Sequence, residues 1–167
     1  MKQKYLMFLF AAAMLTVPAS LMAQKKGKKP AKTNVVKKDT LTVLTEQAAQ
    51  GDAKALNNLG LWYYTGTNVE KEYHKAFNYW SKAYNLGNVE ATGNMGMCYQ
   101  LGRGTKDSKP DSLVAVKLYK MAISKGNTKI LQQHIDLADK KNNPFSIMFL
   151  LDQYTAKHDQ ANITKYL

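Results

Sequence analysis

The sequence predicts an all-α protein built as a short stack of paired helices, and an internal repeat is the main observation behind this prediction. One set of four residues recurs at a fixed spacing, and a second set recurs at a slightly longer spacing. A period of roughly 35–40 residues is the signature of stacked repeat units. The recurring sets are Ala55, Gly60, Tyr63 and Gly66 with Ala91, Gly96, Tyr99 and Gly102, and Ala76, Ala83 and Gly87 with Ala115, Ala122 and Gly126.

Each repeat divides into two amphipathic helices joined by a turn. The spacing of apolar residues predicts helices over Ala53–Tyr64 and Tyr73–Leu86 in the first copy, with Gly66–Val69 as the turn. The copies therefore span residues 52–87 and 88–126, and three extra residues lengthen the turn of the second copy.

Two glycines fall inside predicted helices, where each costs about 1 kcal/mol relative to alanine. Because Gly60 and Gly96 share one register, we expect the paired helix to approach so closely at both places that no Cβ fits. In the turns, Asn68 occupies the place of Gly104, and both residue types tolerate a left-handed backbone. The sequence thus predicts a positive φ at both turn positions.

Glycine followed by Asp or Asn marks each joint between successive helix pairs. Glycine favours the end of a helix, and an Asp or Asn side chain can cap the next helix. The three joints are Gly51-Asp52, Gly87-Asn88 and Gly126-Asn127.

The repeated residues resemble the Sel-one-like repeat family, a branch of the tetratricopeptide superfamily. The resemblance covers both copies and implies a short right-handed solenoid of antiparallel helix pairs that holds other proteins together without catalytic residues. Asn68 and Thr105 depart from the family pattern, which has Gly and Val there. The matching residues of the first copy are Ala55, Leu59-Gly60, Tyr63, Gly66, Val69, Ala76, Tyr79-Trp80, Ala83 and Gly87.

The N-terminal segment, residues 1–23, has the pattern of a secretory signal peptide. Two lysines precede the uncharged stretch Tyr5–Val17, which is shorter than the ~20 residues that a membrane-spanning helix needs. Small residues follow, and we expect cleavage after Ala23, with Ala19 as the alternative site; an uncleaved anchor is a further alternative. The pattern predicts a bacterial protein that is periplasmic or secreted.

Residues 24–40 form a lysine-rich segment that we expect to be a disordered linker. It carries seven lysines against one acidic residue, whereas residues 41–167 carry 15 basic and 11 acidic residues. The linker therefore carries a net charge of +6 and the longer region 41–167 only +4, so the charge gives no reason to expect nucleic-acid binding. The linker could contact an anionic membrane or another polyanion weakly, or serve only as a spacer.

Both ends of the stack are predicted to be degenerate units. Residues Leu41–Gln50 form an amphipathic half-repeat, and residues 127–167 form a C-terminal cap with helices over Asn127–Lys140 and Phe145–His158. The residues after Asp159 are expected to be weakly ordered, although Ile163, Tyr166 and Leu167 could dock on the stack.

No residue set in the sequence has the spacing of a catalytic, cofactor or metal site. His134 and Asp136 are two positions apart, which directs them to different sides of a helix. Cys98 precedes a repeat tyrosine and is interpreted as a buried core residue. We therefore expect no enzyme activity, no cofactor and no metal.

The candidate binding residues are polar or aromatic residues outside the core pattern. Asn58 and Asn94 recur at the repeat period on first helices, and Trp62 lies one turn after Asn58. An amide side chain both donates and accepts hydrogen bonds, so such a ladder can bind a peptide backbone; a packing or capping role is the alternative.

The sequence thus predicts an exported, non-enzymatic scaffold that binds a peptide or protein, and it leaves the oligomeric state open. The alternative is an envelope protein that associates with anionic surfaces through its lysine-rich segment.

Overall fold

A computed structural model of the protein describes residues 39–167, and this part of the chain is all-α, with eight helices packed in sequential pairs. The predicted signal peptide and the predicted linker as far as residue 38 lie outside the described residues. The helices are α1 (Thr40–Ala49), α2 (Ala53–Thr65), α3 (Tyr73–Asn85), α4 (Val89–Leu101), α5 (Ser112–Ser124), α6 (Thr128–Lys141), α7 (Pro144–Ala156) and α8 (Gln160–Tyr166).

The first helix begins slightly before the predicted boundary. Asp39 caps α1 by accepting a hydrogen bond from the backbone N–H of Thr42 at 2.7 Å, and Thr40 is already helical. The helix therefore begins one residue before the predicted start at Leu41, because Asp39 caps it and Thr40 lies in its first turn.

In each repeat the two helices pack against each other where a glycine of the first contacts an aromatic ring of the second. A Cβ on Gly60 would lie 2.5 Å from the ring of Trp80, and one on Gly96 would lie 2.7 Å from the ring of Tyr119. Trp80 is fully buried, and its Nε1 donates to the carbonyl of Asn57 at 3.1 Å. The predicted close approach is confirmed, with an aromatic ring of the second helix as the approaching group.

The turns within the two repeats share one geometry despite their different lengths. Asn68 and Gly104 have φ values of 59° and 75°, which confirms the predicted positive φ at both positions. In both turns the residue before the second helix, Glu72 or Asp111, donates its N–H to the carbonyl of a tyrosine at 2.7 Å. The three extra residues are accommodated in the turn before Asp111.

The core consists of three hydrophobic clusters that follow one another along the stack. The first joins both repeats around Trp80, the second joins α5 to α6 and α7 around Tyr119, and the third joins α6 to α8. Alanines at the repeat positions are fully buried or nearly so, which allows neighbouring helices to pack closely. These alanines are Ala55, Ala76, Ala83, Ala91, Ala115 and Ala122.

The C-terminal residues are helical, so the expectation of weak order after Asp159 is wrong. Asp159 caps α8, and the ring of Tyr166 stacks on Tyr154 with centroids 6.1 Å apart. Lys165 Nζ and the hydroxyl of Tyr166 both donate to the carboxylate of Asp139, at 2.7 and 2.8 Å. These contacts fix α8 to α6 and α7.

Candidate functional site

The surface formed by α2, α4 and α6, which we call the first-helix face, contains two different helix-to-helix steps. In the step from α2 to α4, Nδ2 of Asn94 donates to Oδ1 of Asn57 at 3.0 Å. Nδ2 of Asn88 donates to the carbonyl of Ala53 at 3.4 Å. Two hydrogen bonds from asparagine side chains therefore join α2 to α4.

The step from α4 to α6 has an apolar contact in place of these bridges. Gly93 occupies the position in α4 that Asn57 occupies in α2, and a Cβ there would lie 2.6 Å from Cδ1 of Ile130. Asn127 precedes α6 as Asn88 precedes α4, but its side chain makes no capping hydrogen bond, so the prediction that it caps α6 is wrong. The two helices thus meet where an isoleucine packs on a glycine.

A groove of about 650 Å³ opens along this second step. Its size falls in the range of ligand-binding clefts, roughly 300–1,000 Å³. Met97 and Leu101 contribute apolar surface from α4, and Leu137 contributes it from α6, beside the nearly buried Ile130. The groove therefore has a floor that can bury apolar side chains of a ligand.

Carboxamide side chains surround this apolar floor. Oε1 of Gln100 accepts a hydrogen bond from the hydroxyl of Tyr119 at 2.7 Å. The side-chain oxygen Oδ1 of Asn143 accepts one from the backbone N–H of Ser146 and so caps α7. The side-chain NH₂ groups of Gln100 and Asn143 take no part in these two bonds. Gln133 is exposed and has the position in α6 that Asn94 has in α4. The groove thus offers both donors and acceptors. Its five carboxamides are Asn94, Gln100, Asn127, Gln133 and Asn143.

One wall of the groove contains a buried histidine in an aromatic cluster. The His134 ring lies 4.8 Å from that of Tyr119 and 4.6 Å from that of Phe149, between centroids. Its Nδ1 is 2.9 Å from Oγ of Ser146, which links α6 to α7. Burial lowers the pKa of His134 to about 4, so the ring is neutral near pH 7. This wall is therefore uncharged near pH 7 and is held together by contacts among α5, α6 and α7.

The predicted binding residues are distributed over both steps. Asn94 lines the groove, although its amide also bridges to Asn57. Asn58 and Trp62 are half-buried on α2, outside the groove lining. Trp62 is more exposed than its repeat counterpart Cys98, which is fully buried. The structure thus brings Asn94, but neither of the other two, into the groove.

Sequence reasoning missed the residues that open the groove. Gly93 is a glycine inside α4 without a counterpart in α2, and this unmatched helix-breaking residue was a usable signal. Gln133 continues the register of Asn58 and Asn94 into α6, where the repeat pattern fades.

Two features of residues 39–167 bear on whether the protein could hold a metal ion or a reactive thiol. No group of three or more His, Cys, Asp or Glu residues is placed to bind a metal ion in this range. Burial raises the pKa of the Cys98 thiol to about 12, so the thiol stays protonated at neutral pH.

Among the helices that the structure describes, none combines the length and apolar character needed to cross a membrane.

Comparison with known proteins identifies the repeats. The Sel1 repeat family model matches residues 53–88 and 89–127, the same two copies that the sequence pattern defines. Residues 53–127 therefore carry two Sel1 repeats, and the predicted repeat family and all-α fold are confirmed.

Two solved structures share this architecture over about three quarters of the chain. A Sel1 repeat protein from Oxalobacter formigenes has 26% sequence identity and a TM-score of 0.52, with 75% of this chain and 46% of that chain covered. The protective antigen c5321 of uropathogenic Escherichia coli strains, which displays an SLR fold, has 25% identity and a TM-score of 0.51, with 73% and 26% covered. The chain thus spans less than half the length of either structure.

Proposed function

We propose that the protein is a non-enzymatic interaction scaffold that binds a polypeptide segment of a partner protein in the groove between α4 and α6. The observation that carries this proposal is the combination of five carboxamides with an apolar floor in one cleft. Sel1 repeats generally mediate protein interactions, which supports the same class of function.

A polypeptide suits the groove because its backbone presents alternating donors and acceptors. A carboxamide can bond to either kind of group, so the amides can follow a backbone without fixing its sequence. The floor then supplies the apolar burial, since a few desolvated side chains dominate the affinity of such interfaces. Met97 and Leu137 are half-buried and are thus available to cover such side chains.

Selection of random peptides displayed on phage tests the proposal. We expect the full chain to enrich peptides whose binding is lost in Leu101→Glu, because a carboxylate would enter the apolar floor. Leu86→Glu is the matched control, since both leucines lie at the end of a helix and are about half exposed, 43% and 54%. Equal binding by both variants, or no enrichment at all, would refute the groove assignment.

A third variant locates the edge of the binding surface. Leu61 is 44% exposed on α2, one turn after Asn57 and within one turn of Asn58. If Leu61→Glu weakens binding as strongly as Leu101→Glu, the site extends over α2 to include the predicted residues Asn58 and Trp62. Unchanged binding in Leu61→Glu restricts the site to the second step.

We also propose that the protein is exported, on the basis of the charged, apolar and small-residue order of residues 1–23. N-terminal sequencing of protein recovered from bacterial cell fractions tests this. A mature chain beginning after Ala23 or Ala19 is expected in the periplasm or the medium, and a full-length chain in the cytoplasm would contradict it.

A further inference from the structure

We propose that the partner segment bound in the α4–α6 groove is extended, with apolar side chains at alternate positions and an acidic side chain at each end. This inference rests on the proposed function and adds the chemistry of the partner. It follows from the length of the groove, the arrangement of its floor and the charges along its α6 edge.

The length of the groove is set by α6. Lys129 lies in the first turn of this helix and Lys141 is its last residue, and both line the groove. Twelve helical steps of 1.5 Å place their backbones about 18 Å apart. The two ends of an extended seven-residue segment are about 20 Å apart, which the reach of two lysine side chains accommodates.

The floor selects alternate residues of an extended segment. Side chains of an extended chain point to opposite sides in turn, so only every second one can face the floor. Ile130 and Leu137 lie about 10 Å apart along α6, and Met97 approaches from α4. Three apolar side chains at alternate positions span about 13 Å and cover this floor.

The charges along the α6 edge of the groove favour a partner segment with acidic side chains at its ends. Lys129 and Lys141 are exposed and have no ion-pair partner within residues 39–167. The carboxylate of Asp136 is neutralised by Lys140, with Nζ and Oδ1 3.3 Å apart. Lys129 and Lys141 are separated by more than the screening distance of about 8 Å at physiological salt, so each acts on one end of the segment.

Glu90 makes the charge at the two ends of the groove unequal. It lies in the first turn of α4, lines the groove and is the second residue of its helix, as Lys129 is of α6. Its negative charge opposes an acidic group near Lys129, whereas Asp136, the acidic groove residue closer along α6 to Lys141, is already paired with Lys140. The acidic preference is therefore expected to be stronger at the Lys141 end.

Two synthetic peptides with blocked termini test this chemistry, Glu-Leu-Ser-Leu-Ser-Leu-Glu and its counterpart with lysine at both ends. We expect the full chain to bind the acidic peptide about fivefold to tenfold more tightly in a fluorescence anisotropy titration. The double variant Lys129→Glu/Lys141→Glu should reverse this preference. Lys141→Glu alone should reduce it more than Lys129→Glu alone.

The control variant is Lys106→Glu/Lys117→Glu, which changes the net charge equally at exposed positions outside the groove. The lysine-rich stretch of residues 24–38 is present in every variant, so any attraction it has for the acidic peptide is the same in the control and in the groove variant. If the control loses the acidic preference as fully as the groove variant does, the inference is wrong.

A result in which neither peptide binds also overturns the inference. The proposed function survives that result if the phage selection still yields a peptide sensitive to Leu101→Glu, because the groove then binds a segment of different chemistry. If that selection also fails, both the inference and the proposed function are refuted.

Discussion

The two steps of the first-helix face show how one repeat stack makes both a closed joint and a groove. Between α2 and α4, Asn94 bridges to Asn57 and Asn88 bridges to the carbonyl of Ala53. Between α4 and α6, Gly93 replaces the first asparagine and Ile130 packs on it. The groove therefore arises where amide bridges within the stack are absent, which leaves neighbouring carboxamides available for a ligand.

The difference also changes what stabilises each step. The first step depends on partly buried hydrogen bonds, each contributing about 1 kcal/mol. The second depends on burial of one aliphatic side chain, which contributes more but is not directional. Substitutions at equivalent registers should consequently have unequal effects, and the following experiments test that inequality.

The largest effect is expected at the isoleucine. Ile130 is 4% exposed, and Ile130→Ala should lower the free energy of unfolding by about 2–5 kcal/mol because it leaves a cavity above Gly93. Urea denaturation followed by circular dichroism measures this. Adding Gly93→Ala to the Ile130→Ala variant should recover about 1 kcal/mol through higher helix propensity and partial filling of the cavity. A double variant less stable than Ile130→Ala alone would contradict this packing.

A pH-dependent effect is expected in the wall of the groove. The pKa of His134 is lowered by burial from 6.5 to about 4, so as the pH falls the unfolded chain binds a proton before the folded chain does. The free energy of unfolding should therefore decrease as the pH falls from 6.5 to 4, by up to about 3 kcal/mol. Thermal unfolding over this range measures the loss.

The control for this effect is His134→Gln, which can still bond to Ser146 but cannot titrate. Carboxylates with lowered pKa values, such as those of Asp139 and Asp159, also lose their stabilising contribution as the pH falls towards their ordinary value of 3.8, beginning about one unit above it. Both carboxylates are retained in His134→Gln, so the difference between this variant and the natural protein isolates the contribution of His134. If the variant and the natural protein lose stability equally between pH 6.5 and 4, His134 is not the responsible group.

Much of the fold could be predicted because the repeat imposes the same steric demand twice. Gly60 and Gly96 indicated a close approach, and Asn68 and Gly104 indicated a left-handed turn, from their matching registers alone. The Gly–Asx joints gave helix ends that agree with the structure to within about two residues. These features are local and repeated, so sequence pattern was sufficient for them.

The groove could not be predicted because it depends on how α6 departs from the repeat. Ile130 in place of a repeat alanine indicated a different contact, but only the structure shows that Gly93 receives it. The capping role of Asn127 failed for a related reason: the same residue type at the same register has a different backbone entry into the helix, with ψ of 78° compared with 118° at Asn88.

A smaller effect is expected at the amide bridge of the first step. Asn94→Ala should lower the free energy of unfolding by about 1 kcal/mol, because the partly buried Oδ1 of Asn57 loses its donor. Gln133→Ala, at the equivalent register of the second step, should remain within about 0.5 kcal/mol of the natural protein since this side chain is exposed. Chemical denaturation of Asn57→Ala, Asn94→Ala and the double variant gives the coupling energy directly. Additive losses would show that the bridge contributes nothing.

A difference of similar size is expected at Asn88 and Asn127, the asparagines that precede α4 and α6, and it separates stability from binding. Asn88 accepts from the N–H of Ala91 at 2.7 Å, so Asn88→Ala should cost about 1 kcal/mol in a thermal unfolding measurement. Asn127→Ala should cost less than about 0.5 kcal/mol, because its side chain caps nothing. It should nevertheless weaken binding of a peptide selected against the groove, since Asn127 lines that groove. An Asn127→Ala variant that is as unstable as Asn88→Ala, and binds normally, would show that the two steps use their asparagines in the same way.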